Sequence, residues 1–314
     1  MIEPATQVAV ICGGVGAARF LRGLIRVVDQ SQITGIVNTG DDMRLHGLAI
    51  SPDLDTCTYT LAEAINPETG WGLVGETWNA RDTLERYGGQ TWFGLGDRDL
   101  GTHLYRTQRL DEGATLTEVT TEIVRAWDLH LDLMPMSDDP VRTRVVTDQG
   151  ETLDFQRYFV ERQHRDHITS VHFDGVETAR PGPRVLSAIE EAHVVVIAPS
   201  NPFVSIAPVL EVDGVRAAIA GRREATVCIS PIIGGTAIKG PAADLMRTLG
   251  HEVSSLGIAR IVEELAAHLV IDTVDAELAD AIAETGVNPI VADSVMRTPE
   301  VAADLARIAL QAAT

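Results

Sequence analysis

The apolar run in "QVAVICGG" carries no charge and stops at paired glycines, which reads as a parallel strand buried on both faces and running into a turn. In the next segment, "AARFLRGLIRVV", the period changes: Phe20, Leu21, Leu24, Ile25 and Val28 fall on one face of a helix. Together they predict a βα unit. "ITGIVNTGDD" repeats the strand with a polar end, and "HVVVIAPSNP", "ATVCISPIIGG" and "HLVIDTVDA" repeat it further on. Helical patterns lie between them, as in "APVLEVDGVRAAIAG" and "GPAADLMRTLG". The alternation predicts an α/β fold with a Rossmann-like, doubly wound, mainly parallel sheet.

Two stretches break the alternation. From about 56 to 130 the strand-like runs thin out, and "LAEAI", "ETWNARDTLERYG" and "THLYRTQRL" read as helices, so a mainly helical insertion is expected. From about 141 to 175, "VRTRVVTDQGETLDFQRYFV" and "ITSVHFDG" alternate around a "DQG" turn and predict a small antiparallel β extension. With no low-complexity linker and no repeat, residues 1–314 are expected to form a single composite α/β domain.

Composition narrows the partners. A formal charge of −20 and a pI near 4.7 oppose nucleic-acid binding, which needs a basic face. No apolar run approaches membrane-spanning length, and "MIEPATQ" lacks the basic start of a signal peptide, so a cytoplasmic location is expected. Cys12, Cys57 and Cys228 are odd in number and widely spaced, which fits small buried hydrophobes better than a disulfide framework or a zinc knuckle.

In an open α/β sheet, ligands collect outside the carboxyl ends of the strands, so the strand-terminating residues are the candidates. In "GGVGAAR", Gly14 and Gly16 could bring backbone amides to a nucleotide or phosphate at a helix N-terminus. The dinucleotide fingerprint is incomplete, because Arg19 holds its third position, and no P-loop Lys-Ser/Thr pair is present. "NTGDDMRLHGLAISPDLDT" holds Asp41, Asp42, Asp53 and Asp55. Two carboxylates about 4 Å apart repel by roughly 4 kcal/mol at an effective dielectric near 20, so a cation is expected among them. Oxygen ligands on loops suit Mg²⁺. Taken singly, Asp53 could instead cap a helix and Asp41 shape a turn. His46 is expected to be a hydrogen-bonding neighbour rather than a metal ligand.

Weaker candidates are "LGDRDLGTH", "PMSDDPVRTRV", "APSNPFVSIAPV" with Ser200 and Asn201, and "SPIIGGTAIKGPA" with Lys239. The "HRDH" at 164–167 reads as a solvated turn, and Trp71, Trp78, Trp92 and Trp127 as packing residues. No nucleophile elbow occurs.

Through "GGVGAARFLRGL", "NTGDD", "HGLAISPDLDTCTYTLA", "GWG", "LGDRDLGTHLYRT", "LPMSDDPVRT", "APSNPFVSI" and "SPIIGG", nearly the whole chain resembles the 2-phospho-L-lactate transferase family of coenzyme F-420 biosynthesis, known in actinobacteria as phosphoenolpyruvate transferase. "SPDLDT", "LGDRD" and "PSNP" carry the resemblance more specifically than the glycine turn does. It implies transfer of a 2-phospho-lactyl or enolpyruvyl-phosphate group from a guanosine diphosphate donor to the deazaflavin Fo, with release of GMP and help from Mg²⁺. It also implies a homodimer, and contacts to Fo from Asp55 and Arg98. On that reading Asp42, Asp53 and Asp55 are the expected Mg²⁺ ligands and catalytic residues, because such transfer needs mainly positioning and charge neutralisation. Gly14, Gly16, Ser200 and Asn201 would meet the nucleotide and its phosphates. The alternative is a YvcK-like nucleotide-sugar-binding regulatory protein without transferase activity. A nicotinamide-dependent oxidoreductase is a third class, disfavoured by the missing fingerprint glycine.

Overall fold

The structure, a computed structural model, describes residues 6–238 and 240–313, so Lys239 lies outside the described residues. Seven strands form the central sheet: β1 (Val8–Cys12), β2 (Ile33–Val37), β3 (Asp132–Pro135), β4 (Val194–Ile197), β5 (Thr226–Ile229), β6 (His268–Asp272) and β7 (Asn288–Ala292). Their order across the sheet is β7-β6-β5-β4-β1-β2-β3, and every neighbouring pair is parallel. The expected doubly wound α/β architecture is therefore present.

Alternation within β1 shows why the sheet is covered on both sides. Val8, Val10 and Cys12 join one apolar cluster with Phe20, Leu21 and Leu24 of the helix α1 (Gly14–Leu24) and with Leu305 and Leu310 of the C-terminal helix Pro299–Ala312. Ala9 and Ile11 join a second cluster on the other face, with Ile189, Ile219 and Ile258 from three further helices. A strand buried on both faces must read as a continuous apolar run, and β1 does. Cys12, Cys57 and Cys228 are all free and buried.

Between β2 and β3 the chain forms a hairpin (Met43–Leu45 with Leu48–Ile50) and four helices: α2 (Pro52–Leu61), α3 (Asn79–Arg86), α4 (Asp99–Asp111) and α5 (Leu116–Ala126). Helix α2 starts earlier than its pattern predicts, with Pro52 at its first position, where the missing N–H costs nothing. It also stops before "AEAI": Glu63 takes a φ of +54° and Ile65 bridges to Leu73 instead. After β3, Arg142–Thr147 pairs antiparallel with Thr152–Asp154 and with Ile168–Asp174. "FQRYFV" does not continue as a strand. Residues Arg157–Glu161 form a wide helical turn, which lets Phe155 and Phe159 stack with ring centres 5.6 Å apart and buries Tyr158. No helix of the described residues is long and apolar enough to cross a membrane.

Candidate functional site

The strand order reverses between β1 and β4, and a cavity of about 570 Å³ opens at their carboxyl ends, where an open α/β sheet binds its ligands. Gly14, with a φ of +67°, turns the chain from β1 into α1. A Cβ on Gly16 would lie 2.1 Å from the Pro199 carbonyl oxygen, so only glycine lets the turn after β1 close on the turn after β4. Ser200 Oγ fastens the two turns by donating to the Gly13 carbonyl (2.6 Å). Asn201 Oδ1 accepts from the Phe203 amide (3.0 Å), while its buried Nδ2, in the cavity wall, has no hydrogen-bond partner among the described residues.

The acidic stretch delivers three carboxylates to this cavity, Asp41, Asp53 and Asp55, and the first two face each other from different elements. Asp41 follows β2, and Asp53 sits in the first turn of α2. Asn38 Nδ2 donates to Asp53 Oδ2 (3.0 Å), and the Gly14 amide also faces that carboxylate. These contacts do not offset burial, which pushes Asp53 up to about 6. Asp41 is raised well above the usual carboxylate range, by burial first and then by the charges of Asp53 and Asp42. Its Oδ1 is buried without a hydrogen-bond partner. Two buried, mutually repelling carboxylates with an orphaned oxygen form an all-oxygen donor set that fits Mg²⁺. Among the described residues no three carboxylate, imidazole or thiol groups converge to cage an ion. A Mg²⁺ here would draw on one or two carboxylates plus phosphate oxygens, its usual habit.

A second pair of carboxylates in the same wall is treated oppositely. Asp55, also in the first turn of α2, is gripped by both terminal nitrogens of Arg106, which is 1% exposed. Arg106 Nη1 lies 3.3 Å from His103 Nδ1, and His103 Nε2 lies 3.3 Å from Asp99 Oδ2. The Tyr59 hydroxyl donates to Asp99 Oδ1 (2.7 Å) and lies 2.7 Å from Thr102 Oγ1. Burial alone would raise Asp99, but His103, Tyr59 and Arg106 together hold it below the ordinary value. The result is a buried polar cluster of Tyr59, Asp99, His103, Arg106 and Asp55 that joins α2 to α4.

The remaining expected residues fall elsewhere. Asp42 lines a smaller cavity of about 150 Å³ with Arg142 and Ser51, whose Oγ donates to Asp42 Oδ2 (2.7 Å). Burial pushes Asp42 up to about 7. The three charges of "GDRD" point three ways. Asp97 accepts from Thr77, Asn79 and Ala80 at the start of α3 and is lowered to about 2. Arg98 is exposed and donates to the Val74 carbonyl, outside the described cavity wall. Asp99 faces the cavity. Trp71 and Trp92 read as packing residues in the sequence, with contact to an aromatic ligand as the alternative. They line the cavity with Phe93, and Phe155 and Phe159 lie in the same wall. Trp127 packs edge-on against Tyr59, and His46 Nε2 lies 3.0 Å from the Gln90 carbonyl.

Sequence reasoning reached Asp99 and His103 only as part of the weaker candidate "LGDRDLGTH", and missed Tyr59 and Arg106. A signal was present: Asp55 and Tyr59 lie four apart, and Asp99, His103 and Arg106 are spaced four and three apart, so each set shares a helix face.

Residues 8–308 match the family model described as 2-phospho-L-lactate transferase CofD. A phosphoenolpyruvate transferase of Kitasatospora aureofaciens is 41% identical over 310 residues, 97% of each chain. Phosphoenolpyruvate transferases of Streptomyces griseus and Mycolicibacterium smegmatis are 40% and 38% identical, over 98% of each chain. Among solved structures, a UPF0052-family protein from Bacillus halodurans has a TM-score of 0.65 at 18% identity, covering 97% of this chain and 99% of its own, which is a likeness of fold. The match over nearly the whole length shows that the chain belongs to the 2-phospho-L-lactate transferase CofD family.

Proposed function

We propose that the protein transfers an enolpyruvyl-phosphate group, or its 2-phospho-lactyl counterpart, from a guanosine diphosphate donor to a ribityl hydroxyl of the deazaflavin Fo in coenzyme F-420 biosynthesis. The hydroxyl oxygen attacks the phosphorus that carries the three-carbon acid, the bond from that phosphorus to the bridging oxygen breaks, and GMP leaves with that oxygen while the hydroxyl proton is released. The observation that carries this reading is the meeting, at the sheet's switch point, of the orphaned Asp41 Oδ1 and Asn201 Nδ2 with the buried carboxylate of Asp53. The names of the curated relatives favour the enolpyruvyl donor.

Asp41 and Asp53 would hold Mg²⁺, in place of the set Asp42, Asp53 and Asp55. The ion would supply charge neutralisation of the diphosphate and of the leaving group. Asn201 offers its free amide to the nucleotide. Asp55, oriented by Arg106, is placed to accept a hydrogen bond from the acceptor hydroxyl, as geometry must precede pKa in such a role. Trp71, Trp92 and Phe159 offer faces to an aromatic ring.

Mass spectrometry of products after incubation with Fo, Mg²⁺ and each guanylylated acid tests the proposal. Formation of the phospho-linked Fo adduct with stoichiometric GMP is expected, faster with the enolpyruvyl donor. Binding of a nucleotide sugar with no transfer from either donor would favour the YvcK-like alternative.

A further inference from the structure

Arg19 stands where a dinucleotide fingerprint carries its third small residue, and neither the fold nor the chemistry above has used it. The position lies on α1, one turn past Gly14, and is half-buried in the cavity wall. Its guanidinium makes no hydrogen bond or ion pair with any described residue. Its charge is felt instead by another arginine: Arg22 is lowered by burial first and then by Arg19 and Arg26. Among the described residues of the wall it is the one Arg or Lys, in company with Asp41, Asp53, Asp55 and Asp99. A half-buried guanidinium with unused donors calls for an oxyanion, which it can grip bidentately.

The glycine turn sharpens the argument. The Gly14 amide, the donor first expected to meet a phosphate, is turned to the Asp53 carboxylate. Long helical side chains lean back toward the N-terminus of their helix, which carries the Arg19 side chain toward that same turn. We infer that Arg19 binds the diphosphate of the donor, a specificity contact beside the turn; this rests on the functional reading above.

Isothermal titration of GDP in Mg²⁺ buffer, for the wild type, Arg19→Gln and Arg19→Lys, tests the assignment, with Fo titrated in parallel. Arg19→Gln is expected to weaken GDP about tenfold or more and the guanylylated acid by the same factor, while Fo affinity changes less than about twofold. Lys should recover only part, being a point charge without the planar fork. The melting temperature of both variants should hold, since no internal partner is lost. Unchanged GDP affinity in Arg19→Gln overturns the proposal, even if the guanylylated acid weakens, because the contact would then be to its carboxylate. Equal loss of GDP and Fo overturns it as well. A wild type that binds no GDP overturns the functional reading itself, and the proposal with it.

Discussion

Two pairs of carboxylates share one cavity and are surrounded by opposite kinds of partner. Asp55 and Asp99 come with their own compensation: a bidentate arginine, an imidazole and a tyrosine hydroxyl. Asp41 and Asp53 have an asparagine, a backbone amide and each other, and both are raised by burial. Burying an unpaired charge is expensive, so an arrangement that neutralises one pair and neglects its neighbour is informative. The compensated pair is built to stay in place when the cavity is empty. The neglected pair is the one whose mutual repulsion an added positive charge would relieve.

The largest effect expected from this contrast is on stability. Arg106→Gln removes the partner of a buried carboxylate and should cost about 3–5 kcal/mol in chemical denaturation. Asp55→Asn added to it should return part of that loss, because the uncompensated charge goes too. A single variant that unfolds like the wild type would show that Asp55 and Arg106 are not coupled.

A smaller effect, with the opposite sign, is expected at the neglected pair. Asp53 is raised to about 6 and Asp41 is raised well above the carboxylate range, so the folded chain holds protons that the unfolded chain has already released. Their stabilising share is therefore present at low pH and is lost as the pH climbs from the ordinary carboxylate range through about 6 and beyond. In metal-free buffer, Asp41→Asn should raise the melting temperature at pH 8 by about 2–4 °C and by less at pH 5, where the unfolded carboxyl has only just ionised. Scanning calorimetry at both pH values checks this. Destabilisation at pH 8 would mean that the pair is already balanced within the protein.

Much of this was legible in the sequence, for definite reasons. A fully buried parallel strand leaves an unbroken apolar run, and a glycine turn followed by a helical period marks the first βα unit, so β1, α1 and the place of the cavity follow from local pattern. The partners of Asp55 and Asp99 were less legible, because Arg106 reaches Asp55 and Tyr59 reaches Asp99 across 51 and 40 residues of chain, and only the packing of α2 against α4 brings them together. Asp41 and Asp42 illustrate a different limit. Adjacent residues in a turn send their side chains to different cavities, and nothing in "GDD" says which one meets Asp53. Arg98 and Asp99 divide in the same way, one toward the Val74 carbonyl and one toward the cavity.

Calorimetric titration of Mg²⁺ in the presence of saturating GDP tests the central claim most directly, with Asp53→Asn and Asp42→Asn beside the wild type. The contrast between the two carboxylate pairs predicts that Asp53→Asn weakens Mg²⁺ about tenfold or more, while Asp42→Asn binds as the wild type does. Wild-type affinity in Asp53→Asn, or its loss only in Asp42→Asn, would contradict it.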